Sequence, residues 1–125
     1  MSIENHIVQV TNYQLTAPAS DFVEAITTLA ERSREEGPGD MIRYSFYTNP
    51  DQGTAGAIII YRNAAAWLAQ HQLVASLEEY PKFYRTVRLV GLQLFGEISP
   101  EIRQFFDERR LSFTDGGQLA AGFER

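Results

Sequence analysis

The chain contains no cysteine, which excludes disulfide bonds, thiolate nucleophiles and thiolate metal sites. Positive charge is also scarce, because 11 Lys and Arg face 16 Asp and Glu and the net charge is −5. Nucleic-acid binding needs a basic surface, so we expect no nucleic-acid partner. No apolar run is long enough to cross a bilayer, and the first six residues lack the features of a signal peptide. Together these absences predict a cytoplasmic protein with no membrane partner.

Histidine is scarce too, since only His6 and His71 are present. Their number and their separation in sequence give no reason to expect a metal site. The remaining composition is that of an ordinary globular protein, with 44% hydrophobic and 22% charged residues. A chain of 125 residues is large enough to bury one core.

Hydrophobic patterning predicts the element order β-α-β-β-α-β, which is the ferredoxin-like pattern of an α+β protein with a four-stranded antiparallel sheet. One helix follows Pro18, where Asp21 and Glu24 have capping-box spacing, and ends before Gly37. The other begins after the N-cap candidate Asn63 and reaches about Glu79, where Pro81 interrupts it. The predicted strands are His6 to Leu15, Met41 to Thr48, Ala55 to Tyr61 and Val87 to Ile98.

The predicted domain covers residues 1–99, and residues 100–125 form a short helix and a tail. Ile102, Phe105 and Phe106 would give that helix an apolar side, so we expect it to dock on the domain or on a partner.

The strands do not alternate between apolar and polar residues. Ile58, Ile59 and Ile60 are consecutive, although a strand with one wet face should alternate. Two helices cover only one face of such a sheet. We therefore expect the open face to pack against a second copy, which gives a two-fold homodimer.

The apolar strand Ala57 to Tyr61 runs directly into an alanine-rich helix that carries Trp67 and His71. In combination with the element order, this segment resembles the antibiotic biosynthesis monooxygenase (ABM-type) family over roughly Ile7 to Ile98. The resemblance implies a dimeric α+β barrel with a cavity between sheet and helices. It also implies oxygenation of aromatic phenols without metal or flavin. The chain departs from the family at Tyr61, where members often carry an acid, and at Arg62, where an aromatic residue often follows.

Five residues are candidates for the site. His71 titrates near neutral pH and could accept a phenolic or enolic proton, although one histidine on a helix is more often a hydrogen-bonded core residue. Trp67 lies about 40° around the same helix, so it could stack on an aromatic ligand or anchor the core. Asn12 is unusual in a strand, so its amide could face a polar cavity or make hydrogen bonds that only stabilise the fold. Arg43 could bind an anionic or phenolic oxygen of the substrate, or it could be solvated or ion-paired at the surface. Tyr61 completes the substrate-binding candidates.

Tyr80, Phe83 and Tyr84 form an aromatic cluster that could roof the cavity or line the subunit contact, with packing as the default interpretation. The leading functional hypothesis is a small monooxygenase without a cofactor, acting on an aromatic or quinone-like molecule. A non-catalytic dimeric module that binds a ligand or serves in stress is the alternative. A haem-degrading relative is a further alternative, because Asn12 and Trp67 match that branch, but its histidine would fall near Leu77.

Overall fold

A computed structural model describes residues 3–125, and the predicted element order is confirmed. The fold is α+β and ferredoxin-like, with the sheet order β2-β3-β1-β4-β5. The elements in chain order are β1 (Ile7–Leu15), α1 (Ala19–Glu36), β2 (Met41–Asn49), β3 (Thr54–Tyr61), α2 (Ala64–Ser76), α3 (Glu79–Tyr84), β4 (Val87–Phe95), α4 (Pro100–Glu108) and β5 (Thr114–Asp115).

The sheet differs from the prediction in one respect, because it has five strands and is mixed. β5 lies in the segment that was expected to be a plain tail, and it pairs in parallel with β4. It is only two residues long and has neither a β-branched run nor an alternating pattern, so local sequence does not signal it. The other three pairings are antiparallel, as expected.

The positions where α1 and α2 begin and end are set by the residues that cap them. The Asn63 side chain accepts a hydrogen bond from the Ala66 amide at 2.9 Å, so it caps α2 as predicted. The capping box at the start of α1 does not form, because that helix begins at Ala19 with Pro18 as its cap. α1 ends at Glu36 with Gly37 as its C-cap, where an added Cβ would lie 2.3 Å from the Ser33 carbonyl oxygen and would clash.

The second predicted helix is in fact two. α2 stops at Ser76, Leu77 adopts an extended conformation, and α3 starts at Glu79. Pro81 therefore lies in the first turn of a new helix instead of ending an old one. Amides in a first turn have no helical acceptor, so the missing N–H of proline costs nothing there.

The two sheet faces differ in burial. Along β1, Ile7, Gln9, Thr11 and Tyr13 are buried, while the residues between them are half-buried or exposed. The buried set faces the helices. The other set lies on the opposite surface, which we call the open face and which includes Val8, Val10, Ile58 and Ile60. Dimerisation through this face stays a prediction.

One apolar core holds the molecule together. Ile102 and Phe106 of α4 belong to the same buried cluster as Trp67, so the C-terminal helix docks on the domain. Of the helices that the structure describes between residues 3 and 125, none is long and apolar enough to cross a membrane.

Candidate functional site

A small cavity lies on the helix side of the sheet, below α1, α2 and α3, with a volume of about 50 Å³. Ordinary ligand pockets measure about 300–1,000 Å³, and a single water needs about 10–15 Å³ on the same kind of scale. The cavity is therefore sized for a few water molecules and must widen for anything larger. Its lining residues are Gln9, Tyr13, Leu29, Tyr44, Phe46, Ile59, Tyr61, Gln70, His71, Val74, Tyr80, Phe83 and Tyr84.

His71 is held in one tautomer by its own helix. Its Nδ1 lies 2.8 Å from the carbonyl oxygen of Trp67. Since a carbonyl only accepts, Nδ1 must carry the proton and Nε2 keeps the lone pair. The pKa of His71 is lowered to about 4, mainly by burial and to a smaller extent by the nearby Arg109 guanidinium, against the opposing effect of the Trp67 carbonyl. At neutral pH the ring is uncharged, and Nε2 is an acceptor.

Trp67 is the anchor of α2, and it is not among the residues that line the cavity. Its side chain is fully buried, and its Nε1 donates to Gln9 Oε1 at 2.9 Å. The indole stacks on His71, with ring centroids 3.7 Å apart and planes 17° from parallel. Phe105 and Phe106 of α4 contact it as well, at 5.1 and 5.5 Å between centroids. Trp67 therefore supports His71 from behind and has no free face for a ligand.

Five tyrosines supply most of the polar groups of the cavity. Burial raises the pKa of Tyr44 to about 12 and raises the pKa of Tyr61 well above its usual value. Burial is also the main cause of the raised pKa values of Tyr13, Tyr80 and Tyr84. All five phenols therefore stay protonated at neutral pH. Tyr13, Tyr44, Tyr80 and Tyr84 are hydrogen-bonded to neighbouring side chains, which leaves Tyr61 as the donor available to an oxygen in the cavity.

Gln70 adds an amide to this lining. It is 2% exposed, and its Nε2 donates to Ser33 Oγ at 2.9 Å. Its Oε1 has no hydrogen-bond partner among the described residues, although buried acceptors are normally paired. Carbonyl oxygen Oε1 is therefore a free acceptor on a side chain that lines the cavity.

The sequence-based candidates divide between the two faces of the sheet. The structure brings His71 and Tyr61 together, with ring centroids 5.9 Å apart, on the cavity side. Asn12 is exposed on the open face, opposite Gly56 and Gly91 of the neighbouring strands. Arg43 is exposed as well, donates from Nε to Ser45 Oγ at 2.9 Å and bonds the Tyr47 hydroxyl. Neither residue lines the cavity, so the expected grouping of Asn12 and Arg43 with His71 is not found.

Sequence reasoning gave no site role to Tyr44 or Gln70 and treated Tyr80 and Tyr84 mainly as packing. The sequence does contain a pattern that points to the tyrosines, although none points to Gln70. Tyr44 shares its strand phase with Phe46, and Tyr80 and Tyr84 are four residues apart on one side of a helix. Gln70 offered no signal, because a glutamine in a helix is ordinary.

A haem does not fit this site. The cavity of about 50 Å³ is far smaller than a macrocycle needs, and Asn12 and Trp67 lie on different sides of the sheet. No group of three or more His, Cys, Asp or Glu able to hold a metal ion occurs within residues 3–125.

Solved structures with this arrangement define the class of fold. MupZ from Pseudomonas fluorescens matches with a TM-score of 0.76 at 15% identity, covering 97% of this chain and 95% of its own. SnoaB, a cofactor-independent oxygenase from Streptomyces nogalater, matches with a TM-score of 0.64 at 12% identity over 76% of this chain and 95% of its own. A proposed antibiotic biosynthesis monooxygenase from Caulobacter crescentus matches with a TM-score of 0.60 at 13% identity, covering 78% of this chain and 93% of its own.

The chain therefore shares the ferredoxin-like α+β fold of these proteins, as the sequence predicted. The TM-scores establish the fold, and at identities this low a shared fold assigns neither a substrate nor a cofactor. No protein-family model and no curated protein sequence matches the chain.

Proposed function

We propose that the chain is a small monooxygenase that oxidises a phenolic or quinone-like substrate directly with dioxygen, without a metal or an organic cofactor. His71 is the proton acceptor, and Tyr61 contacts the substrate. The fold shared with a cofactor-independent oxygenase supports this function. The observation that carries it is the fixed tautomer of His71, which leaves Nε2 as a lone-pair acceptor on a residue lining the cavity.

The reaction balances without a further reductant. His71 Nε2 accepts the phenolic proton, and the electron-rich substrate anion then reduces dioxygen. One oxygen atom becomes the new carbonyl oxygen of a quinone. The other takes up the proton held by His71 and the hydrogen of the oxidised ring carbon and leaves as water, so a phenol and O₂ give a quinone and H₂O and His71 is neutral again. Phenol groups such as that of Tyr61 stay protonated and stabilise the substrate anion by hydrogen bonding.

Oxygen uptake with 1-naphthol tests this proposal. In the presence of a chelator, the protein should consume O₂, form 1,4-naphthoquinone and incorporate label from ¹⁸O₂ into the product. His71→Gln should lower kcat/KM at least 100-fold, the usual range for a general base being about 10²–10⁴. His6→Gln is the matched control, because it alters the other histidine, and should leave the rate unchanged.

Absence of oxygen uptake, or full activity in folded His71→Gln, would contradict the oxygenase. The size of the cavity favours a second candidate, a non-catalytic module that binds a small ligand, because about 50 Å³ does not admit a bicyclic ring without movement. Saturable quenching of the single tryptophan by phenol, a monocyclic ligand, without oxygen uptake would support that candidate.

We also propose a homodimer formed through the open face. Val8 and Val10 lie next to Ile60 and Ile58 in the sheet register, and all four are only half-buried in one copy. A second copy would bury this apolar surface, and it would also surround Asn12 and Arg43, which lie on the same face.

A further inference from the structure

The lining of the cavity restricts the kind of molecule that can bind there. Among the described residues that line it, none is Asp, Glu, Lys or Arg. A charged ligand would lose its hydration without gaining an ion pair, which is costly in a buried site. The volume of about 50 Å³ corresponds to a few waters, so a compact molecule needs the least rearrangement. A small neutral ligand fits both constraints.

The polar groups in the cavity are of two complementary kinds. His71 offers Nε2 as an acceptor, because its Nδ1–H is bonded to the Trp67 carbonyl at 2.8 Å. Tyr61 is 1% exposed, and no hydrogen bond to its hydroxyl occurs among the described residues. The two rings are neighbours, with centroids 5.9 Å apart and planes tilted by 46°. One acceptor and one unused donor therefore face the same small space.

We propose that this cavity catalyses the keto–enol tautomerisation of a small neutral 1,3-dicarbonyl compound, with His71 Nε2 moving the proton and the Tyr61 hydroxyl holding the carbonyl oxygen. This activity goes beyond the proposed oxygenase, since it needs no dioxygen, and either activity can be absent without the other.

The step balances as an isomerisation. Nε2 accepts a proton from the carbon between the two carbonyl groups, and the electrons of that C–H bond form the C=C bond of the enolate. The negative charge moves to the carbonyl oxygen, where the Tyr61 hydroxyl donates a hydrogen bond. The proton on His71 is then delivered to that oxygen, which forms the enol O–H and regenerates the neutral ring. Nothing is oxidised or reduced.

The protonation states suit these roles. Burial keeps the Tyr61 phenol protonated and the His71 ring neutral over the same pH range, so donor and acceptor coexist. An imidazole whose pKa is about 4 is a weak base. A 1,3-dicarbonyl is a suitable partner, because its central C–H is far more acidic than that of a simple ketone.

An anaerobic assay with acetylacetone tests the proposal. The enol-rich diketone is diluted from cyclohexane-equilibrated stock into buffer, and ketonisation is followed by the loss of enol absorbance, with deuterium uptake at the central carbon measured in D₂O. The protein should accelerate ketonisation above the buffer rate. His71→Gln should lower the acceleration at least 100-fold, and Tyr61→Phe should lower it about 100-fold, as for loss of one oxyanion donor.

Matched controls keep the result interpretable. Tyr47→Phe removes a phenol from the exposed β2 residue Tyr47, outside the cavity, and His6→Gln removes the other imidazole. Both should retain the wild-type rate, and circular dichroism should show all four variants folded. No acceleration by the wild type, or unchanged rates in folded His71→Gln and Tyr61→Phe, would overturn the proposal. Oxygen uptake with 1-naphthol in the absence of ketonisation would overturn it while leaving the oxygenase intact.

Discussion

At the scale of single residues, the neutral state of the half-buried His71 has a consequence for stability. Its pKa is about 4 in the folded protein, against about 6.5 for an unperturbed histidine. Between these values the unfolded chain binds more protons than the folded one, so the free energy of unfolding falls as the pH falls. The full stability is present above pH 6.5 and is lost progressively as the pH approaches 4. The ceiling of the loss is about 3 kcal/mol at 1.36 kcal/mol per pKa unit, and less if water reaches the ring.

Urea unfolding of wild type and His71→Gln at pH 7 and pH 4.5 measures the contribution of His71 to the free energy of unfolding, because the carboxylates titrate alike in both proteins. The wild type should lose more stability than the variant on acidification. Arg109, which directly follows α4, and Tyr61 of β3 lie near the ring, and the raised pKa of Tyr61 keeps its phenol protonated in this range. Equal losses in the two proteins would show that His71 is not buried in the neutral form.

The candidate site residues lie on two different faces of the sheet, and the sequence predicted only part of this arrangement. The sequence identified His71 and Tyr61, which meet in the cavity, because a strand leading into a helix brings its end close to the helix. It added Asn12 because asparagine is unusual in a strand, but it could not tell the buried phase of β1, since polar residues occur in both phases, Gln9 and Thr11 in one and Asn12 and Gln14 in the other. Only packing decides which phase is buried, and here Gln9 is buried because it accepts the hydrogen bond of Trp67.

At the scale of elements, α4 packs against the side chains that hold His71 in place. Phe106 is 3% exposed, and it packs on the indole of Trp67, which in turn stacks on His71. Phe106→Ala should lower the free energy of unfolding by about 3–5 kcal/mol, the range for a buried phenylalanine. It should also shift the emission of Trp67, the single tryptophan, to longer wavelength, because water reaches the indole.

Fluorescence and urea unfolding measure both effects in one sample. Phe123→Ala is the control, since Phe123 is 77% exposed and should change neither quantity. Unchanged emission and stability in Phe106→Ala would mean that α4 does not cover the indole in solution.

Elements with strong local patterns were predicted well, and those that depend on tertiary contacts were not. The Asn63 cap and the glycine stop after α1 are local, and both were found. β5 exists because Gly116 donates to the Leu94 carbonyl and Gly117 accepts from Gly96, which are contacts between segments some 20 residues apart. The break at Leu77 likewise reflects packing, since its side chain is buried in the core.

At the scale of the whole molecule, the open face decides the oligomeric state. Ile58 lies near the middle of the sheet, between Val10 of β1 and Ser45 of β2, and it is half-buried in one copy. Two-fold pairing would place this residue in an apolar interface, and a stable interface buries about 1,200–2,000 Å². A charge at Ile58 would be desolvated at the interface, which costs several kcal/mol, whereas a single copy leaves that side chain near water.

Sedimentation velocity at micromolar concentration should therefore show a dimer for the wild type and a folded monomer for Ile58→Arg. Val23→Arg is the matched control, because Val23 is 47% exposed on α1, on the helix side of the sheet, and should remain dimeric. A monomeric wild type, or a dimer that survives Ile58→Arg and dissociates in Val23→Arg, would rule out the open face as the interface. In the expected case the consecutive isoleucines of β3 are explained, since Ile59 faces the core while Ile58 and Ile60 face the second copy.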